Sequence, residues 1–386
     1  MKNFPLVLLS ALLLASCAQA PIAPAPSAVT TPLVAPALEE PAASPSIASP
    51  PIASLPITAA RDIVISAVGD IMLDGTARPV LKNMGYDYPF VKMIPYFSDA
   101  QIVFGNLEGP LTNRGTPEQD KPFVFRSPPD EVSAALKNAG FNVVSLANNH
   151  TLDYGADGLA QTIETLDATG IQHVGAGENL VASRKPAFFK IDNQRVAILG
   201  YSMTLPEQFY SGKNKPGTAF GHEEHVRDDV IAARAQADIV LVAFHWGQEG
   251  KTVLRDYQVR LGHLAIDSGA SAVIGHHPHI LQGIERYKDG VILYSLGNFT
   301  FGSYSPRSTR SAVAQLRFVD KRLHSLALFP INVNNFEVQF QPQPLHGEAA
   351  DAVIAELHSL SAALNTDIRN VNGVGMLTLG TVASPP

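Results

Sequence analysis

Cysteine is nearly absent from this 386-residue chain, with Cys17 the only one. The body of the protein therefore has neither a disulfide framework nor thiolates for zinc. Charge is scarce as well, at 16% Asp, Glu, Lys and Arg, and the net balance of −7 leaves no basic footprint for a nucleic acid. The apolar run near the N-terminus, Phe4 to Leu14, is too brief to cross a bilayer. What is present is enough apolar residue, 46%, to bury one large core or two moderate ones. Any metal in the folded part must be held by His, Asp, Glu and Asn.

The short charged start, Met1-Lys2-Asn3, and the apolar run behind it end in Leu14-Ala15-Ser16-Cys17, which resembles a bacterial lipobox. That resemblance implies cleavage before Cys17 and lipidation of the new N-terminus. The alternative is an ordinary secretory signal ending at Ala18-Gln19-Ala20. From Ala18 to about Ala60 the chain is Pro, Ala and Ser with almost no charge or aromatic residue. Such a stretch buries too little apolar surface to offset its chain entropy, so a disordered tether is expected there. The expected organisation is a signal peptide over 1–17, a tether over 18–61, one domain over 62–319, and a C-terminal extension over 320–386 partly packed on that domain.

Short Val- and Ile-rich runs predict buried strands over Ile63–Val68, Ile102–Phe104, Val143–Leu146, Val196–Gly200, Ile239–Phe244, Ala272–Ile274 and Val291–Tyr294. Helical patterns lie between several of them, over Asp130–Asn138, Gly158–Ala168, Glu223–Ala235 and Asp256–Asp267. Gly140, Gly170 and Gly269 stand where three of these helices need a left-handed C-terminal turn. This alternation predicts an α/β fold. Acids, amides and histidines follow directly after the strands, in Gly69-Asp70, Asn106-Leu107-Glu108, Asn148-Asn149-His150, His245-Trp246-Gly247 and His276-His277-Pro278-His279. Ligands gather at the carboxyl ends of strands in open α/β sheets, so these donors are expected to converge on one edge.

Taken singly, Asp70 reads as a turn or cap residue or as a ligand, and Glu108 as a loop acid or a ligand. Asn149 and His150 could close a turn, because Asn tolerates left-handed geometry. His277 and His279 are different: two imidazoles two residues apart, held by Pro278 after a buried strand, point to metal. His276 faces the other way if the segment is extended. Arg126, in Phe123-Val124-Phe125-Arg126, is either a contact for an anionic substrate or an exposed strand-edge cation. Trp246 is a pocket wall or a core residue.

The ordered series Gly-Asp-Ile-Met, Gly-Asn-Leu-Glu-Gly-Pro, Asn-Asn-His-Thr-Leu-Asp-Tyr-Gly, His-Trp-Gly, Gly-His-His-Pro-His and Ser-Leu-Gly-Asn-Phe resembles the CapA family. That family is associated with capsule and poly-γ-glutamate synthesis and is related to the calcineurin-like metallophosphoesterases. The resemblance runs from about Asp62 to about Phe301. It implies a metallophosphoesterase-like β-sandwich flanked by helices, carrying one or two divalent ions (Mn, Fe or Zn). It further implies that Asp70 and His279 bind the first metal, that Asn149, His245 and His277 bind the second, and that His150 acts on the leaving group. Two positions depart from the superfamily pattern: Met72 stands where a histidine is usual, and Asn106 where a bridging Asp is usual. Glu108 is the carboxylate near enough to bridge instead.

The function expected from these readings is a lipid-anchored envelope protein of the CapA type with a metal-dependent, phosphoesterase-like hydrolase site. An anionic envelope polymer or a phosphoester would be its substrate, the membrane its support through the lipid, and polymer synthase subunits its partners. The alternative is a non-hydrolytic polymer-binding or assembly protein. A cell-wall amidohydrolase using the same donors is a third reading, since metal-bound hydroxide also attacks carbonyls.

Overall fold

Runs of β-branched and aromatic residues form the strands, and the amphipathic stretches between them form the helices that cover the sheets. The computed structural model describes residues 62–379. The signal peptide, Cys17 and the tether of the expected organisation lie outside the described residues.

The strands are β1 (Asp62–Met72), β2 (Ile102–Leu107), β3 (Val143–Ser145), β4 (Gln172–Val174), β5 (Ala176–Gly177), β6 (Ala187–Ile191), β7 (Gln194–Ser202), β8 (Gly217–Thr218) and β9 (Ile239–His245). They continue with β10 (Ala272–His276), β11 (Ile284–Tyr287), β12 (Gly290–Leu293), β13 (Asn298–Phe301), β14 (Arg310–Val319), β15 (Arg322–Asn332), β16 (Gln343–Pro344), β17 (Arg369–Val371) and β18 (Val374–Thr378). The helices are α1 (Arg78–Met84), α2 (Pro129–Asn138), α3 (Gly155–Thr169), α4 (Leu180–Ser183), α5 (Glu223–Arg234), α6 (Asp256–Asp267), α7 (Asn335–Val338) and α8 (Gly347–Ala362). Pro129 opens α2 at a position where its missing N–H is harmless, and Asp130 and Glu131 complement the first turn. Gly140, Gly170 and Gly269 all take positive φ just beyond α2, α3 and α6.

Two sheets face each other. The first runs β17-β18-β15-β14-β1-β2-β3-β4, with β13 beside the end of β1, and the second runs β11-β12-β10-β9-β7-β6. β1, β2, β3 and β4 are parallel, as are β7, β9, β10 and β12, so their carboxyl ends share an edge in each sheet. Alternation along single strands sorts their side chains between layers. Leu241 and Ala243 of β9 join Ile63, Ile65, Phe104, Ile198, Ile274 and Leu293 in the core between the sheets. Val240 and Val242 face outward to Val226, Val230, Leu261 and Ala265 of α5 and α6. Val68, Ile71, Val103 and Val144 face outward to Leu81, Val132, Leu136, Leu159 and Leu166 of α1, α2 and α3. Each such side chain, once fully buried, contributes about 1.5–3 kcal/mol relative to exposure. The architecture is the helix-flanked α/β sandwich that the resemblance implied.

The segment from 320 onward, expected as an extension partly packed on the domain, supplies β15 beside β14 and α8 on the inter-sheet core through Val353, Ile354 and Leu357. Val319 lies at a hairpin tip, where Asp320 and Lys321 both take positive φ. A two-residue turn of that kind matches strand twist and joins neighbours in one sheet rather than ending a domain.

Candidate metal centre

The strands that stop at the shared edge carry the donors. Asp70 sits near the end of β1, Glu108 directly after β2 and Asn149 in the turn beyond β3. His245 ends β9, and His277 and His279 follow β10. The first three come from one sheet and the histidines from the other, and the structure brings all six together. Asp70, Glu108 and His245 are fully buried, and Asn149 and His279 are half-buried. His277 and His279 take φ of 95° and 59°, a left-handed backbone rare for residues with a side chain. Such conformations cluster at functional sites, and here they turn two successive imidazoles out of the extended path.

Two donor groups share Glu108. On one side, His245 Nε2 lies 2.8 Å from Asn149 Oδ1, 3.1 Å from His277 Nδ1 and 3.7 Å from Glu108 Oε1. On the other, His279 Nδ1 lies 3.2 Å from Asp70 Oδ2, and its Nε2 lies 3.8 Å from Glu108 Oε1. Glu108 with His245 and His277, and Asp70 with Glu108 and His279, each bring donor atoms within 4.8 Å of one another. Mixed nitrogen and oxygen sets of this kind suit a borderline divalent ion.

The neighbours hold these donors in place. Asn106 points Nδ2 at Asp70 Oδ1 (2.8 Å) and Glu108 Oε2 (3.3 Å), while its Oδ1 accepts from Asn148 at 3.1 Å. An amide NH2 between two carboxylates leaves the position as a donor that orients them, and not as a bridging acid. His279 Nδ1 also lies 2.8 Å from Asn298 Oδ1 of β13. His276 is turned away, with Nε2 at 3.1 Å from the Val68 carbonyl oxygen. Trp246 is a core residue, stacked between Phe244 and Tyr294 and donating Nε1–H to the Tyr294 carbonyl at 2.8 Å. Met72 is buried and offers only a thioether.

His150 stands beside the centre with Nδ1 2.6 Å from Asp153 Oδ2. Asp153 also accepts the Phe125 backbone N–H at 2.8 Å and pairs with Lys121. Lys121 Nζ lies 3.1 Å from His150 Nδ1 and donates to the Asn149 carbonyl oxygen at 2.5 Å. Nothing in the sequence singles out Lys121, which is one cation in a polar loop between motifs. Arg126, the substrate candidate, lies in the same loop rather than on a strand. It is exposed, its guanidinium sits 4.6 Å over the Tyr154 ring, and its backbone N–H bonds Asp74. Among the cations of that segment, Lys121 and not Arg126 reaches His150.

The family described as "Bacterial capsule synthesis protein PGA_cap" matches residues 64–303. The chain belongs to this family. It is 33% identical over 277 residues to the capsule biosynthesis protein CapA of Bacillus anthracis, covering 70% of this chain and 67% of that one. It is 34% identical over 276 residues to the PGA biosynthesis protein CapA of Bacillus subtilis, covering 71% and 73%. The crystal structure of a 5'-nucleotidase precursor from Thermus thermophilus superimposes with a TM-score of 0.43 at 16% identity, covering 80% of this chain and 60% of that one.

Electrostatics in this PGA_cap-family centre follow from burial and crowding. Burial and the other histidines hold His245 well below the ordinary imidazole range. Burial and neighbouring His279 push His277 down to about 3. Burial also works against a charge on His279, but the Glu108 and Asp70 carboxylates outweigh it and raise that imidazole to about 10. Burial, and then Asp70, raises Glu108 well above the usual carboxylate range. Glu108 Oε1 is buried and has no hydrogen-bond partner. An unpartnered carboxylate oxygen is costly in a dry site, and a cation between it and the histidine nitrogens would satisfy it. The residues present fit a divalent metal.

Proposed function

We propose that this chain is a lipid-anchored protein of the cell envelope that acts in capsule or poly-γ-glutamate synthesis. Its metal centre would be that of a metal-dependent, phosphoesterase-like hydrolase. The observation that carries the reading is the orphaned Glu108 Oε1 at the meeting point of both donor groups, next to the His150–Asp153 pair. Asp70, Glu108 and His279 would hold one ion, and Glu108, Asn149, His245 and His277 a second. Bound there, divalent cations supply a hydroxide at neutral pH and neutralise charge on a phosphoryl group. Asp153 fixes His150 through Nδ1, so Nε2 is the nitrogen left to carry a proton to a leaving oxygen. Burial and Lys121 both hold His150 below its ordinary range, against the pull of Asp153, which makes its protonated form a stronger acid. An anionic envelope polymer or a phosphoester is the substrate this site would take, with polymer synthase subunits as partners.

The test is turnover of an aryl phosphate by the purified protein with added manganese, compared with the chelated sample. Metal-dependent release of the phenol is expected. A second reading, a non-hydrolytic polymer-binding or assembly protein, is favoured by Met72 and by the amide of Asn106 at two positions where the superfamily uses ligands. Wild-type protein that binds manganese yet turns nothing over would move the conclusion to it.

The anchor rests on Leu14-Ala15-Ser16-Cys17 and the Pro/Ala/Ser stretch behind it. The described residues contain no helix long and apolar enough to cross a membrane, so the lipid is the proposed attachment to the outer side of the cytoplasmic membrane or to an outer membrane. Cys17→Ser should release the protein into a soluble envelope or secreted fraction. Retention of that variant on membranes after a high-salt wash would refute the anchor.

A further inference from the structure

Each of the two donor groups, Glu108–His245–His277 and Asp70–Glu108–His279, also has an amide oxygen 2.8 Å from one of its histidine nitrogens, Asn149 Oδ1 on His245 and Asn298 Oδ1 on His279. A carboxylate from a different loop stands where the two groups meet at their histidines. Glu249 brings a carboxylate oxygen within 4.8 Å of donor nitrogens of both His277 and His279. His279 is the histidine that also faces Asp70 and Glu108, and it feels the charge of Glu249, as Glu108 does. Glu249 is exposed where the other donors are buried or half-buried, so it approaches from solvent.

The loop is built to present it. Gly247 and Gly250 flank the segment with φ of 86° and 65°, a backbone that only glycine adopts without strain. The Gly247 N–H donates to the Tyr257 hydroxyl at 2.7 Å, and the Gly250 N–H donates to the Pro278 carbonyl at 2.9 Å. The second of these bonds ties the loop to the very turn that carries His277 and His279. Gln248 is drawn outward to Arg255, which leaves Glu249 as the side chain of the loop that faces the histidines.

We propose that Glu249 is a metal ligand: its carboxylate meets His277 and His279 from the solvent side of the centre. This rests on the metal centre of the proposed function and not on hydrolysis.

The experiment is manganese(II) titration of the full-length chain by calorimetry, with metal content after desalting, for wild type, Glu249→Gln and the exposed control Glu178→Gln. Two ions are expected for wild type and Glu178→Gln. For Glu249→Gln, one ion should remain with unchanged affinity and the other should weaken by tenfold or more, since even outer partners of ligands are worth roughly 10–100-fold. Glu249→Gln that binds both ions as wild type does would overturn the assignment. So would a wild type that takes up fewer than two ions, or an equal weakening in Glu178→Gln, which would mark a general charge effect. Failure of the hydrolase reading shows elsewhere: no turnover by a wild type that still binds two ions leaves the Glu249 result intact.

Discussion

His277 and His150 are both buried beside the same centre, but their hydrogen bonds give them different work. His277 Nδ1 faces another imidazole nitrogen at 3.1 Å, and burial together with His279 holds it down to about 3, so it is neutral and free to bind metal. His150 Nδ1 is already taken by Asp153 and neighboured by Lys121. His277→Ala should therefore lose bound metal, whereas His150→Ala should keep its metal and lose turnover by roughly 10²–10⁴-fold, the usual contribution of a general acid. Metal analysis of both variants beside the aryl phosphate assay decides the point, and equal metal loss in the two would make His150 a ligand. At this scale the donors themselves were legible because each directly follows an apolar run. Lys121 and Glu249 were not: both sit in loops without periodicity, and only the folded chain shows what a loop residue faces.

Strands and helices with strong patterns were legible nearly to the residue. The run Ile239–Phe244 became Ile239–His245, and Asp256–Asp267 is the helix as read. Asn298, in Leu296-Gly297-Asn298-Phe299, reads from sequence as a residue that fixes a loop beside the site, yet it opens β13, which lies parallel to β1 with Asn298 opposite Asp70. The reason is backbone proximity: a Cβ on Gly69 would meet the Gly297 carbonyl oxygen at 1.9 Å. Short pairings of this kind are set by contacts far apart in sequence, which no local pattern reports. The late hairpin β14–β15 escapes a local reading as part of the domain for the same reason, since its partner β1 lies at the other end of the fold. Gly69→Ala must drive β1 and β13 apart beside Asp70. The expected loss is ~3 kcal/mol, at the upper end of what overpacking usually costs. Denaturant unfolding reads it, and a variant within about 0.5 kcal/mol of wild type would mean that the two backbones do not approach so closely.

For the whole molecule, a metal in this centre would cross-link the two sheets, because Asp70, Glu108 and Asn149 belong to one and His245, His277 and His279 to the other. A cation that binds only this assembled set stabilises the fold by mass action, by about 2.7 kcal/mol at a hundredfold excess over its dissociation constant. Protons would compete with it at His279, which the two carboxylates raise to about 10 against its burial. Because that value lies above the unfolded one, the proton on His279 stabilises the metal-free fold fully below about pH 6.5, and this stabilisation is lost as pH rises through about 10. A metal held by His279 would displace that proton, so manganese affinity should rise with pH through the neutral range, by about tenfold per pH unit for that proton alone. His277, already neutral above about pH 3, adds nothing to this slope. The gap in unfolding midpoint between loaded and chelated protein should then widen from pH 6 to pH 8, as the loaded form gains and the chelated form begins to lose its His279 contribution. Thermal unfolding at both pH values reads the gap, and calorimetry in buffers of different ionisation heat counts the proton. A gap that stays constant with pH, with no proton released, would mean that the metal does not replace the His279 proton and that the centre is held by other residues.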